Sequence, residues 1–164
     1  MTSRVLLVIN VQAGLIADPP QGIPAAAAVR DNIALVLDHA RRAEHTPRII
    51  HIRNSGDPGE LDERKSNAFA GTKLAELIAP DAEVVVVGLL SEYSIKSTCR
   101  AAMLRGNTVL LMRGAHGTYD HLELVEGGSL KPAEKISTKV EEDLDKAGAI
   151  ILDMKYLPGL FEGR

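Results

Sequence analysis

Short apolar runs recur along the chain, and the segments between them carry a helical period. Arg4–Val11 (RVLLVINV) is nearly continuous, interrupted by Asn10 close to its C-terminal end. Arg48–Arg53 holds Ile49, Ile50 and Ile52, Val84–Val87 is wholly β-branched, and Asn107–Met112 and Ala149–Asp153 complete the set. Runs of this length and composition predict strands covered on both faces. Between them, Pro24 opens a helix of about five turns whose apolar face is Val29, Ile33, Val36 and Ala40. Thr72–Ile78 is a short helix, and Ile95, Cys99 and Ala102 align on a third that Gly106 ends. Pro132 opens a fourth, with Ile136, Val140, Leu144 and Ala147 on one stripe and Gly148 as its stop. Alternating strands and helices predict an α/β domain: a parallel sheet, helices on both faces, and right-handed crossovers.

The segments without a period are where chemistry would sit. Gln12 to Gly22 is a loop broken by Pro19, Pro20 and Gly22, and Arg113–Asp120 (RGAHGTYD) follows the fourth strand. Asn54–Gly71 is long for a compact domain, a length that marks a functional or mobile loop. In Val84–Gly106 (VVVVGLLSEYSIKSTCRAAMLRG) a buried strand ends at Gly88 and leads into a helix that Ser91 can cap. Ser94 lies in that helix's first turn, where an open α/β sheet binds ligands and backbone N–H groups can stabilise an oxyanion.

Composition narrows the classes. A chain of 164 residues with 45% hydrophobic content is expected to form one domain over residues 1–164. A net charge of −3 with scattered Lys and Arg argues against a nucleic-acid partner. No apolar run approaches the roughly 20 residues of a membrane span, and no signal-peptide pattern opens the sequence. One cysteine rules out an intramolecular disulfide and a Cys-based metal site, which suits a reducing, cytoplasmic setting. Aromatic residues are 3%, too few for a platform that stacks bases or sugars.

Strand C-termini share one edge, so Asn10, Ser91 to Ser94 and His116 to Tyr119 gather there, with Asn54–Gly71 as a wall. Each has a plain alternative. Asn10 could be a strand-end polar residue, Ser94 a local helix hydroxyl, and His116 a solvent-facing loop histidine. Lys96 and Arg100 read as the solvated face of their helix. Cys99 is rotated by about 140° from Ser94 and reads as core.

Three segments, LLVINVQAGL, NAFAGTKLAELI and VVVVGLLSEYSIKSTCRAAMLRGNTVLLM, resemble the isochorismatase-like cysteine hydrolase superfamily, which includes nicotinamidases. The resemblance covers nearly the whole chain. It implies a three-layer α/β/α, Rossmann-like fold with a mostly parallel sheet of five or six strands. It also implies a triad of Asp, Lys and Cys, whose positions here hold Asn10, Glu63 (or Lys65, if the loop shifts by two) and Ser94. The candidates for contact with the substrate are Leu89, Leu90, Tyr93, His116, Tyr119 and Phe69. The resemblance further implies a cis peptide at Leu89–Leu90, backbone N–H groups of residues 90 and 94 aimed at a substrate oxygen, and a homo-oligomer, to whose interface the Leu157–Phe161 tail could add. The nicotinamidase metal signature, Asp-x-His after the second strand, is absent at Arg53–Gly56, so neither a metal nor another cofactor is expected.

Asn is not a base at neutral pH, and a serine hydroxyl needs one more than a thiol does. Exchanges of Cys for Ser and Asp for Asn also occur in ligand-trapping designs; a change at Glu63 does not, which points to natural divergence. Three readings stay open. One is a diverged enzyme acting on a small carbonyl compound through Glu63, His116 or Tyr119, by dehydration, isomerisation or cyclisation. The second is a weak hydrolase with Ser94 activated by Lys65. The third is a pseudoenzyme that binds a ligand or a subunit.

Overall fold

Five of the apolar runs lie side by side in one parallel sheet of a computed structural model that describes residues 3–54, 67–69, 72–124 and 127–162. The strands are β1 (Arg4–Ile9), β2 (Arg48–Ile52), β3 (Glu83–Leu89), β4 (Thr108–Gly117) and, last in the chain, β7 (Ile150–Asp153). Their order is β2-β1-β3-β4-β7, with the earliest strand in the middle. Its Ile9 stands opposite Ile52 on one side and Gly88 on the other.

Alternation along the strands sorts the core into two layers. Leu6, Val8, Val85 and Val87 pack with Val29, Ile33, Val36 and Ala40 of α2 (Ala26–Arg42) and with Leu157 and Leu160 of α6 (Leu157–Leu160). Val5, Leu7, Ile9, Val84 and Val86 face the other way. There they meet Leu74 of α3 (Leu74–Leu77), Cys99 and Ala102 of α4 (Lys96–Leu104), and Val140 and Leu144 of α5 (Ala133–Lys146). Each such side chain removed from water contributes about 1.5–3 kcal/mol, so the Val84–Val87 run holds the sheet to both helical layers. Cys99 is wholly buried, and burial pushes its thiol up to about 12, in keeping with a core residue.

Both long helices of the second layer end as their glycines predict. Gly106 and Gly148 have φ of +94° and +105°. Around them Asn107 N–H bonds Ala102 O and Gly106 N–H bonds Met103 O, and Ala149 and Gly148 repeat the pair with Leu144 and Asp145. These paired bonds satisfy the last carbonyls of each helix.

The structure departs from the sequence pattern in three places. β4 does not stop at Met112 but continues to Gly117, because its middle bulges: from Val86 to Gly88 is two residues on β3, against five from Leu111 to His116 on β4. A short α1 (Ala13–Ile16) follows β1. A hairpin of β5 (His121–Glu123) and β6 (Ser129–Lys131) precedes α5. Among the described residues no helix is long and apolar enough to cross a membrane.

Candidate active site

The C-terminal edge of the sheet is built on two residues in left-handed backbone. Asn10, directly after β1, has φ +55°, a conformation Asn tolerates better than most side chains. Its N–H bonds Ile52 O (2.8 Å) and its carbonyl accepts from Gln12 N–H (2.9 Å), so the turn out of β1 is pinned on both sides. Leu90 has φ +69°, a strained state for a branched apolar residue that costs on the order of 1–3 kcal/mol. It is held by its N–H bond to Gly117 O (2.8 Å) and by burial in the first core layer.

Leu90 opens a π-helical turn, Ser91–Ile95, that runs into α4. Its wide winding points Ser94 back at the end of β1, where Asn10 Nδ2 donates to Ser94 Oγ at 2.8 Å. Both side chains are buried, at 2% and 5% exposure. Close approach of β1 and β3 makes this meeting possible. A Cβ on Gly88 (φ +137°) would sit 2.0 Å from Ile9 O, so only glycine fits.

A second polar chain runs behind the same turn. Ser91 Oγ lies 2.8 Å from His116 Nδ1 and 3.3 Å from Ser137 Oγ. His116 Nε2 lies 2.9 Å from Glu141 Oε1, and Arg113 Nε donates to Glu141 Oε2 at 2.9 Å. Arg113 also donates to Asp153 (3.0 Å). With Glu141 ionised, His116 donates from Nε2 and its Nδ1 accepts the Ser91 hydroxyl proton. Burial pushes the Glu141 carboxyl up, but the hydrogen bonds from His116 and Arg113 outweigh it and leave it below the ordinary carboxylate range.

No protein-family model matches the chain. It is 30% identical to a streptothricin hydrolase of Streptomyces noursei over 71% of its own length and 55% of that protein's. The chain thus spans about half the length of the curated relatives it matches. An isochorismatase from Pseudomonas putida superposes with a TM-score of 0.74 at 23% identity, covering 94% of this chain and 92% of that one. A cysteine hydrolase from Pseudomonas syringae pv. phaseolicola gives 0.78 at 14% identity, covering 95% and 91%. The chain has the fold of the isochorismatase-like hydrolases.

Against the expectations drawn from the sequence and from the resemblance, several residues come out differently. The Leu89–Leu90 peptide is not cis; among the described residues the cis bond is Pro19–Pro20. The Leu90 N–H is committed to Gly117 O, so it is not offered to a substrate oxygen. Ser91 makes no capping bond; its hydroxyl turns to His116. His116 is no solvent-facing loop residue but 4% exposed on β4, with both nitrogens engaged. Lys96 is not free on the surface, since it pairs with Asp143 at 3.0 Å.

The other candidates are placed as follows. Tyr119 donates its hydroxyl to Gln21 O (2.9 Å), and burial raises its phenol above the usual value. Tyr93 lies on the π-turn with its ring centroid 5.9 Å from that of His121. Leu89 and Leu90 belong to the core beneath the turn. Phe69 packs on the second layer under the Arg105 guanidinium, 4.8 Å away. Glu63 and Lys65 lie outside the described residues.

Glu141 and Ser137 are the polar residues that sequence reasoning missed. A signal was present: they are four apart on α5 and flank its apolar stripe, so both must border the buried face. Glu92 was missed too. One of its carboxylate oxygens accepts from Thr118 Oγ1 (2.9 Å) and lies 3.1 Å from His121 Nε2, while the other is buried with no partner among the described residues.

Proposed function

We propose that this protein is a diverged enzyme of the superfamily that acts on a small carbonyl-containing metabolite without cysteine chemistry. The observation that carries the reading is the bond from Asn10 Nδ2 to Ser94 Oγ, 2.8 Å long and buried. Asn10 and Ser94 are taken to stand where the superfamily keeps Asp and Cys. An Asp there would accept the nucleophile's proton. The Asn10 amide instead donates to the serine oxygen, which leaves the hydroxyl hydrogen for another acceptor. A substrate carbonyl oxygen fits that role.

Ser94 then acts as a hydrogen-bond donor that polarises the carbonyl, and this lowers the barrier to removing a neighbouring C–H proton. Dehydration, isomerisation and cyclisation all begin with that step. The proton acceptor is assigned to Glu63; His116 is spent on Ser91 and Glu141, and Tyr119 on Gln21. A carboxylate is suited to that task where its surroundings raise its pKa towards neutrality.

A second reading, a weak Ser-dependent amide or ester hydrolase, is supported by the likeness to a streptothricin hydrolase. It needs Lys65 within about 3 Å of Ser94 to take the hydroxyl proton. The test is a turnover screen by mass spectrometry over amides, vinyl ethers and unsaturated carbonyl compounds, with wild type beside Ser94→Ala. An isomer or dehydrated product that slows but persists in Ser94→Ala supports the first reading. A hydrolysis product that vanishes in Ser94→Ala supports the second. No turnover from either protein overturns both in favour of a ligand-binding pseudoenzyme.

A further inference from the structure

We infer that Arg53 anchors a subsite for an anionic group, a carboxylate or similar oxyanion, on the substrate whose carbonyl sits at Ser94. The inference rests on the carbonyl-binding reading above for where the rest of the substrate lies. A cavity of about 440 Å³, lined by Gln12, His51, Arg53 and Asn54, opens where β1 and β2 end. That volume is within the range of small-metabolite sites, roughly 300–1,000 Å³. Its lining residue Arg53 follows the strand residue paired with the end of β1, next to Asn10. Ile9 is in register with Ile52 and Asn10 N–H bonds Ile52 O, so Arg53 emerges one strand spacing, about 5 Å, from Asn10.

The lining is electrostatically one-sided. Among the described residues it holds an arginine and a histidine and no carboxylate. Arg53 has no ionic partner among the described residues, so its guanidinium charge is not neutralised by a neighbouring carboxylate there. His51 precedes Arg53 by two residues, the spacing that puts both on one side of an extended strand. Gln12 is fixed in place: its Nε2 donates to Asn54 O (3.2 Å) and its Oε1 accepts from Asn54 N–H (3.0 Å). The clasp ties the end of β2 to the turn after Asn10, so the cavity wall and the carbonyl site are held in one geometry. A guanidinium offers a planar fork that matches a carboxylate with two parallel bonds.

The test compares two probes that differ in one charge: succinamate, with an amide and a carboxylate, and succinamide, with two amides. Titration calorimetry on the whole chain is expected to show succinamate binding about tenfold tighter, the scale of one charge-assisted contact in a partly open site. Added salt should shrink that preference. Arg53→Gln should abolish it and leave succinamide unchanged, and Arg41→Gln, on the exposed side of α2, should change neither. Equal affinities, no affinity for succinamate, or a preference that survives Arg53→Gln overturns the inference. Ser94→Ala separates the two proposals. If it weakens both probes alike, the carbonyl site and the subsite both hold; if it changes neither while Arg53→Gln still removes the preference, the subsite holds and the carbonyl reading falls.

Discussion

Replacing Glu141 by leucine tests whether the chain from Ser91 to Arg113 is a stabilising network. The change keeps the helix and the apolar volume but removes the acceptor of two hydrogen bonds. His116, 4% exposed, would keep a buried N–H with no partner, which costs about 1–3 kcal/mol. Arg113 has a side chain 51% exposed and retains Asp153, so it can turn to water, and its loss is at most about 1 kcal/mol. The expected destabilisation of Glu141→Leu at pH 7 is therefore about 2–3 kcal/mol, or a Tm lower by roughly 4–12 °C for a domain of this size. The pH dependence gives a second signature. Because the folded-state carboxyl lies below its ordinary value, its contribution is fully present above the unfolded-chain pKa of about 4.3 and is lost as pH falls through the folded value. Urea denaturation of wild type and Glu141→Leu from pH 7 to pH 3 should show a gap that is constant to about pH 5 and then narrows. A gap below about 0.5 kcal/mol at pH 7, or one that does not narrow in acid, would refute the reasoning.

Three further outcomes follow from the same geometry. Gly88→Ala should leave little folded protein on expression, since its Cβ would overlap the Ile9 carbonyl backbone at 2.0 Å; near-native circular dichroism and Tm would contradict the close β1–β3 approach. The single thiol, Cys99, should stay unmodified by a thiol reagent at pH 8 until urea unfolds the chain, because it is buried and its pKa is pushed up to about 12; rapid labelling of native protein would disprove that placement. Asn10→Asp should destabilise more at pH 7 than at pH 4. Burial raises the new carboxyl above its unfolded value, so its penalty is absent in acid and grows as pH rises past about 3.9, and denaturation at the two pH values measures it.

How much of this was legible in the sequence follows from which interactions are local. The strands that form the sheet were legible because Val84–Val87 and Val5–Ile9 are apolar without a break, which double coverage explains. The stops at Gly106 and Gly148 were legible because positive φ after a helix has a residue signature. The bulge in β4 was not. It hides in RGAHG, which reads as a loop, and it alone carries His116 into the interior. Ser91 has the residue type and position of a helix cap, and nothing in its neighbours shows that the turn winds wide and that its hydroxyl meets an imidazole 25 residues away. The meeting of Asn10 with Ser94 was legible only through the topology that brings strand ends to one edge. Which atom donates there depends on three dimensions.

The claim that Ser94 donates a hydrogen bond and does not attack is tested most directly by intact-mass spectrometry of wild type and Ser94→Ala after incubation with an activated ester such as p-nitrophenyl acetate. The account predicts no acyl adduct on Ser94, because no described residue is placed to take its proton. An adduct present in wild type, absent in Ser94→Ala and mapped to Ser94 would contradict it, and would make this pocket a serine hydrolase site.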